Sequence, residues 1–445
     1  MSSRRTNIIP FYLATLAILL SAQNLCAQAL AQSNETLVLT NLSVIDGNGG
    51  PSRSNMTIVI SSGKIAAMFP SGGRRLPSHA TVMNLRGHFA IPGLIDSHYH
   101  LVPSHWPGEE GIARRRFALL GGVTTVRDMA GDAVALKDLA NEGARPETQL
   151  PRIYYSALMA GPTWFTDPRV KEISHGMAPG GAPWARAITP VTNLTKVVAE
   201  AKATGATGIK LYADLSPDEV QRLTKEAHRQ GLKVWSHSAI FPSKPSDAVS
   251  AGVDVISHSV DLVFQLSDKF PETLAKASYS AVNWKSVSTD APAITALLKR
   301  MRKQGTVLDA TLYIMVDDPK DADTPRALWA YEVTRRAHQL GVTIVAGTDY
   351  PERPRRREFP NIHIEMELLV TRAGLTPLQA ISAATRNGAR VLGIADSYGT
   401  IAKGKVADLV ILSADPSKDI LNTRKIVLVI KGGKIHKREK VIMPS

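Results

Sequence analysis

Cysteine is nearly missing from this sequence of 445 residues, since Cys26 is its only example and lies close to the N-terminus. A single thiol cannot form an intramolecular disulfide, and it cannot supply the several thiolates of a cysteine-ligated zinc site. Any metal that the chain binds must therefore be held by histidine and carboxylate side chains.

The sequence also lacks an apolar run long enough to span a bilayer, which takes about 20 residues. The apolar run Ile8–Leu20 follows two arginines and precedes small residues. This order is typical of a secretory signal peptide, so we interpret residues 1–31 as one, cleaved after Ala29 or Ala31. The sequence therefore predicts an exported protein, periplasmic or secreted, without a stable membrane anchor.

Acidic residues are in the minority, with 39 Asp and Glu against 53 Lys and Arg, which gives a net charge of +14. A basic excess can mark a nucleic-acid-binding protein, an acidic envelope surface or anionic substrates. Aromatic residues make up only 6% of the chain, and no basic helix is interleaved with them, which argues against nucleic acid. Scattered surface charge accounts for most of the excess, and a small molecule is the expected partner.

Between residues 90 and 399, short apolar runs alternate with segments of helical periodicity. Such alternation predicts an α/β fold, a parallel sheet with helices outside it, and eight strands would close it into a (β/α)8 TIM-type barrel. Helices are predicted at 216–230, capped by Ser216, and at 376–392, capped by Thr376. The predicted barrel strands are 91–96, 123–127, 152–157, 208–212, 232–236, 254–257, 306–311 and 343–347.

Both ends of the chain, residues 34–89 and 400–445, instead show short strands separated by glycine-containing turns. Examples are the turns at 62–64 and 431–434. Neither end can bury a core alone, so we predict that they combine into one small β-sandwich beside the barrel.

Histidines, a lysine and an aspartate stand at or near the ends of the predicted barrel strands. His98 and His100 are one residue apart, so they project to the same face of a strand and can converge on a divalent ion. Later strands add one such group each. In chain order the set is His98, His100, Lys210, His237, His258 and Asp349.

This ordered set resembles the ligand set of the amidohydrolase superfamily, and within it that of the imidazolonepropionase and Xaa-Pro dipeptidase relatives. Gly121–Asp128 and Gly399–Asp408 are also similar to segments of that family. The resemblance implies a barrel with a small sandwich built from both termini. It also implies hydrolysis of a C–N bond, in a non-peptide amide or a dipeptide-like substrate.

The resemblance further implies two divalent ions, with zinc the expected metal, and a carbamate formed from Lys210 and carbon dioxide. The paired histidines of the first strand and Asp349 would bind one ion, His237 and His258 would bind the second, and the carbamate would bridge them. A hydroxide shared by the ions would attack the substrate, with Asp349 as general base. A mononuclear variant that uses only the first group of ligands is the alternative.

Substrate contacts are expected from loops on the carboxyl side of the strands. Two of these connections, residues 158–200 and 259–305, are long and carry aromatic residues that can form pocket walls or pack on the barrel rim. Nearer the predicted ligands, Tyr212 and His363 are candidates for contact with the substrate.

Arg355 and Arg356 lie in a basic cluster after Asp349, and arginine pairs bidentately with carboxylates. They indicate a carboxylate-bearing substrate, such as an N-acyl amino acid or a dipeptide; the alternative is a solvated loop paired with Glu352 and Glu358. Two other functions would use the same fold: a lactonase or phosphotriesterase on the same metal site, and a non-catalytic binding protein.

Overall fold

The computed structural model describes residues 36–101, 108–349 and 358–439. The predicted signal peptide, residues 1–31, lies outside the described residues. No helix within these ranges combines the length and the apolar character that a bilayer crossing requires.

The strands are numbered in chain order. They are β1 Leu37–Val44, β2 Arg53–Ser61, β3 Lys64–Pro70, β4 Thr81–Asn84, β5 Phe89–Pro92, β6 Leu94–Tyr99, β7 Val123–Asp128, β8 Arg152–Ala160, β9 Gly181–Ala182, β10 Ala185–Ala187, β11 Gly208–Leu211, β12 Lys233–His237, β13 Val255–Ser257, β14 Val307–Asp309, β15 Ile344–Val345, β16 Leu409–Leu412, β17 Ile426–Lys431 and β18 Lys434–Lys437.

The α-helices of the described residues are numbered in the same way. They are α1 Gly108–Leu120, α2 Ala133–Ala144, α3 Val170–Ile173, α4 Leu194–Ala203, α5 Pro217–Arg229, α6 Pro245–Ser250, α7 Pro292–Gln304, α8 Pro325–Gln339, α9 Ile362–Thr371, α10 Pro377–Ala383 and α11 Arg386–Leu392.

Local sequence sets where two of these helices begin. Ser216 and Glu219 form a capping box before α5, and Thr376 and Gln379 form the same arrangement before α10. Each box satisfies backbone N–H groups that the first helical turn leaves unpaired. Both predicted helix starts are therefore confirmed.

The predicted single helix 376–392 is wrong, because the chain breaks it into α10 and α11. The carbonyl of Ala384 accepts a hydrogen bond from the backbone N–H of Ile95 in β6 at 2.7 Å. At Thr385 the backbone has φ −139° and ψ −90°, outside the helical region. The end of α10 is thus fixed by its bond to the barrel wall, which the local pattern does not reveal.

Eight parallel strands form the barrel in the order β6, β7, β8, β11, β12, β13, β14 and β15. The first and last strands meet through backbone bonds: Ser97 N donates to Ala346 O at 2.9 Å, and Thr348 N donates to His98 O at 3.1 Å. The predicted TIM-type barrel is therefore confirmed. Every residue of strands such as β7, β11 and β13 is buried, which explains why these strands appear in the sequence as short apolar runs.

The strands of both termini form one continuous mixed sheet with the order β18, β17, β16, β5, β1, β2 and β3, and with β4 beside β1. Buried residues such as Leu39, Ile58, Leu409 and Ile430 give this sheet an apolar core of its own. The predicted composite of both ends of the chain is therefore present beside the barrel.

The run that was predicted as one strand, 91–96, divides at Gly93. Before Gly93, β5 pairs antiparallel with β16 in the terminal sheet; after it, β6 pairs with β7 in the barrel. A Cβ atom at Gly93 would lie 2.2 Å from Thr124 Oγ1, so only glycine fits where the chain passes between the two sheets.

Candidate metal centre

The predicted metal ligands meet where the carboxyl ends of the barrel strands lie. His98 and His100 come from the end of β6, and the His98 residue is only 1% exposed. Asp349 follows β15 with a left-handed backbone, at φ 58°, and its carboxylate lies beside both histidines. A non-glycine residue held at positive φ is uncommon and typical of functional sites.

Three donor groups converge around one point. Asp349 Oδ1 lies 3.0 Å from His98 Nε2 and 3.2 Å from His100 Nε2. One ligand atom from each of the three residues lies within 4.8 Å of the others. Two imidazoles and a carboxylate at this spacing can hold a divalent ion.

His237 and His258 lie on the adjacent side of the same centre. The ring centroid of His258 lies 4.6 Å from that of His237 and 5.0 Å from that of His98. Its Nδ1 atom lies 3.0 Å from Thr311 Oγ1 and 3.8 Å from Asp349 Oδ2. Burial lowers the pKa of both His237 and His258, the latter to about 3, so both rings are neutral and can donate a lone pair to a metal.

Lys210 lies in β11 and is 1% exposed, with Nζ 3.5 Å from Ser257 Oγ. Burial lowers the pKa of this ammonium to about 7, although Asp309 and Asp349 partly oppose the effect. The structure thus brings all the predicted metal ligands to one site. An uncharged buried amine at this position is also a competent nucleophile.

Asp309, at the end of β14, is a buried carboxylate that the sequence analysis missed. Its Oδ2 atom lies 2.8 Å from His98 Nδ1, 3.1 Å from Arg127 Nη2 and 3.0 Å from Ser257 Oγ. A carboxylate on the far nitrogen of a ligating histidine fixes the tautomer and the direction of the ring. The signal was available in the sequence, because Asp309 is an acidic residue that ends a buried apolar strand.

The carboxylates in turn set the charges of the centre. Burial opposes ionisation of Asp349, but His98 and His258 hold the pKa of its carboxyl well below the ordinary value. Burial also opposes the charge on His98, yet Asp349 and Asp309 raise the pKa of this imidazole. Asp349 is therefore an anion in a site that attracts cations.

A cavity of about 920 Å³ opens above this centre, large enough for a small-molecule substrate. Part of its wall comes from the two long connections, 158–200 and 259–305, through Trp164, Phe264 and Tyr279. Of the two alternatives left open for the aromatic residues of these connections, these three side chains adopt the pocket wall.

The remaining predicted substrate contacts have different outcomes. Tyr212 lines the cavity, and its ring centroid lies 4.2 Å from that of His237. His363 is wrong as a substrate contact, because its ring is buried away from the cavity between the Gly121 carbonyl and the Thr423 hydroxyl, at 2.9 Å from each. Arg355 and Arg356 lie outside the described residues.

A second polar cluster in the cavity wall was not recognised from the sequence. Tyr279 donates a hydrogen bond to Asp261, and the guanidinium of Arg326 lies 3.9 Å above the centroid of the Tyr279 ring. All three residues line the cavity. They come from two different connections, so no local spacing marks them as neighbours.

The chain is similar to known hydrolases in sequence. The sequence model described as "Amidohydrolase family" matches residues 89–436. The chain is 26% identical over 457 residues to an ochratoxinase of Aspergillus niger, covering 91% of this chain and 87% of that protein. It is also 26% identical over 360 residues to an imidazolonepropionase of Symbiobacterium thermophilum, covering 75% of this chain and 76% of that protein.

Solved structures show the same fold. A Xaa-Pro dipeptidase with bound methionine in its active site matches with a TM-score of 0.67 at 22% identity, covering 91% of this chain and 100% of that one. The crystal structure of the A. niger ochratoxinase matches with a TM-score of 0.68 at 21% identity, covering 91% of this chain and 96% of that one.

Proposed function

The chain belongs to the amidohydrolase family, and we propose that it is a metal-dependent hydrolase that cleaves an amide C–N bond of a small molecule. The observation that carries this proposal is the convergence of His98, His100 and Asp349 at the mouth of the barrel, with Lys210 buried beside them. Carboxyl ends of barrel strands are where enzymes of this fold carry their catalytic groups.

The donor set fits divalent metal. Asp349, His98 and His100 would hold one ion, and His237 and His258 would hold another. The hydrogen bond between His98 Nδ1 and the Asp309 carboxylate directs the opposite ring nitrogen, Nε2, toward Asp349. Bound ions of this kind supply Lewis acidity, which polarises a carbonyl and makes water acidic at neutral pH.

Lys210 is proposed to carry a carbamate when the site is loaded. An ammonium group at this buried position would repel a divalent cation, whereas a carbamate places anionic oxygens between the two groups of histidines. Burial of Lys210 and its position in β11, between the two ligand groups, support the assignment.

Asp349 is proposed as the general base. Its carboxylate is ionised and lies at hydrogen-bonding distance from two metal-binding nitrogens. It would take a proton from the attacking water and deliver it to the leaving nitrogen. Tyr212, on the cavity wall beside His237, is proposed to orient the substrate carbonyl.

The proposal is tested with zinc-loaded protein and matched panels of amides, lactones and phosphotriesters. We expect amide hydrolysis to exceed the other two activities. We also expect Asp349→Asn to keep most of its metal while its kcat falls by about 10²- to 10⁴-fold, since the amide oxygen can still face an ion but cannot accept a proton as the carboxylate does. Hydrolysis of lactones or phosphotriesters alone would replace this function with the alternative, and no hydrolysis by metal-loaded protein would reject it.

A further inference from the structure

Arg326 is a cavity-lining cation that the metal chemistry does not use. It lies in the first turn of α8 and is half-buried, with its guanidinium carbon 3.9 Å from the centroid of the Tyr279 ring. Among residues 36–101, 108–349 and 358–439, no carboxylate lies within ion-pairing distance of it. Asp261, an acidic group of the same wall, accepts a hydrogen bond from the Tyr279 hydroxyl instead of forming an ion pair with Arg326.

Arg169, which lines the same cavity, differs in this respect. Arg169 makes three hydrogen bonds to the carboxylate of Asp167, at 2.6, 3.0 and 3.1 Å. Its charge is therefore already matched by a neighbouring acid. Asp321 also lines the cavity, but it forms no ion pair with Arg326 in the described part of the chain.

A chain of direct contacts connects Arg326 to the metal ligands. The backbone N–H of Asp261 donates to the carbonyl of His258 at 3.0 Å, Asp261 accepts from Tyr279, and Tyr279 supports Arg326. The guanidinium thus belongs to the same wall as the proposed second metal site. Arg326 and the predicted metal ligands line the same cavity, so a single small molecule could contact both.

The Arg326 guanidinium contacts the Tyr279 phenol, but its buried Nε atom has no hydrogen-bond partner in the described residues, so N–H donors are left that an anionic ligand can pair with. Arginine offers a planar fork of N–H donors that matches the two oxygens of a carboxylate. The position in the first turn of a helix adds to the attraction, because that end of the helix dipole is positive.

We propose that Arg326 binds the carboxylate of the substrate and so makes the enzyme selective for N-acyl amino acids that carry a free carboxylate. This inference rests on the proposed amide hydrolysis. It assigns to Arg326 the recognition role that the sequence suggested for Arg355 and Arg356. Arg326 is then a specificity-determining residue, while the ligands of the metals and Asp349 carry the chemistry.

The kinetic test uses N-acetyl amino acids and the corresponding C-terminal amides, with release of acetate as the readout for both. Wild-type protein is expected to prefer the acids by roughly tenfold or more in kcat/KM, as one bidentate charged pair would give. Arg326→Gln should remove most of this preference, chiefly through KM, and Arg326→Lys should keep part of it. Arg169→Gln serves as the matched control and should retain the preference.

A binding test separates this inference from the proposed function. The probes are 3-phenylpropionate and 3-phenylpropionamide, measured by calorimetry on the metal-loaded full chain, with no turnover required. If Arg326→Gln binds the acid more weakly than the wild type does, while Arg169→Gln does not, the inference is supported. This holds even if the wild-type protein hydrolyses no amide, because the absence of hydrolysis would reject only the proposed function. Equal treatment of acids and amides by an active wild-type enzyme overturns the inference. An acid preference that persists in Arg326→Gln, as direct coordination of the carboxylate to metal would give, also overturns the inference. An acid preference that is lost in Arg169→Gln but kept in Arg326→Gln overturns it as well.

Discussion

At the scale of a single residue, Lys210 determines whether the proposed metal centre repels or binds divalent ions. It is buried and interacts electrostatically with His98, His237 and His258, and its pKa falls to about 7 because burial disfavours the ammonium. The proposed carbamate converts a group that repels divalent ions into one that binds them. The pairing of the two ligand groups therefore depends on this one side chain.

We expect Lys210→Ala to lose most of its bound metal and its hydrolytic activity while the fold is retained, because the bridge between the ligand groups is gone. Acetate or formate should restore part of both by supplying carboxylate oxygens. Metal content and turnover with and without these anions provide the measurement.

Lys431→Met is the matched control. Lys431 is also buried, but its ammonium donates hydrogen bonds to the carbonyls of Arg145 and Leu150, far from the site. Full metal content and full activity in Lys210→Ala would show that the carbamate assignment is wrong.

Asp309 and Arg127 form the support beneath the ligands. Arg127 is fully buried, bonds to Asp309 at 3.1 Å and lies 4.7 Å over the Trp235 ring. Removing the carboxylate alone would leave an uncompensated buried charge and an unsupported His98 ring.

We expect Asp309→Ala to lower the free energy of unfolding by about 3–5 kcal/mol and metal affinity by about 10- to 100-fold. The double variant Arg127→Met with Asp309→Leu should recover much of the stability, because no buried charge is left unpaired, without recovering metal affinity. Denaturant unfolding and competitive chelation measure the two quantities separately. Parallel recovery of both in the double variant would contradict the proposed orientation of His98.

At the scale of secondary structure, His363 fixes α9 to the rest of the molecule. Its ring bonds to the Gly121 carbonyl, between α1 and β7, and to the Thr423 hydroxyl in the C-terminal region. Burial lowers the pKa of this imidazole from 6.5 to about 4. The native state therefore resists protonation in a range where the unfolded chain accepts a proton.

Because the pKa of His363 is lower in the folded than in the unfolded chain, the stability of the protein depends on pH. Between about pH 6.5 and pH 4 the unfolded state binds more protons, so the free energy of unfolding should fall as the pH is lowered, by roughly 3 kcal/mol from this residue. His363→Gln, which can still donate to Gly121, should show a shallower decline in urea unfolding across this range. His79→Gln alters an exposed histidine and should decline as the wild type does. Identical slopes in wild type and His363→Gln would rule out this account.

Helices and strands could be predicted from the sequence where the local pattern of residues determines them. They could not be predicted where a contact with a distant part of the chain sets their ends. Strands such as β7 and β12 are buried on both faces, so their apolar runs are visible in the sequence. The break between α10 and α11 and the division at Gly93 depend on contacts with β6, Thr124 and the terminal sheet, which lie elsewhere in the chain.

The same distinction holds for the site. The metal ligands share the carboxyl ends of parallel strands, so their convergence follows once the barrel is assumed. Asp309 ends a buried apolar strand, which marks it as a candidate, but its role was missed because its partners come from three other strands. His363 was assigned wrongly because its position after the last strand does not reveal which way the ring points.

At the scale of the whole molecule, buried ionic contacts join the terminal sheet to the barrel. Arg152 of β8 pairs with Asp408, and Gly432 N donates to Asp408 Oδ1 at 2.7 Å. Lys431 reaches across to the carbonyls that follow α2. The Arg152–Asp408 pair and the Lys431 bonds tie the C-terminal part of the terminal sheet to the barrel and so stabilise the scaffold that holds the site.

We also propose that the chain acts after export, as the order of charged, apolar and small residues in positions 1–31 indicates. Mass spectrometry of the exported protein should find an N-terminus at Leu30 or Gln32. A mature protein that retains Met1 to Ala31 would contradict processing by a signal peptidase.

Elemental analysis of the purified wild-type chain, produced with zinc and bicarbonate, tests the central proposal most directly. Inductively coupled plasma mass spectrometry should find about two divalent ions per chain, because the proposed ligands form two groups with Lys210 proposed to connect them. Folded protein with no stoichiometric metal after this treatment would contradict the proposed centre.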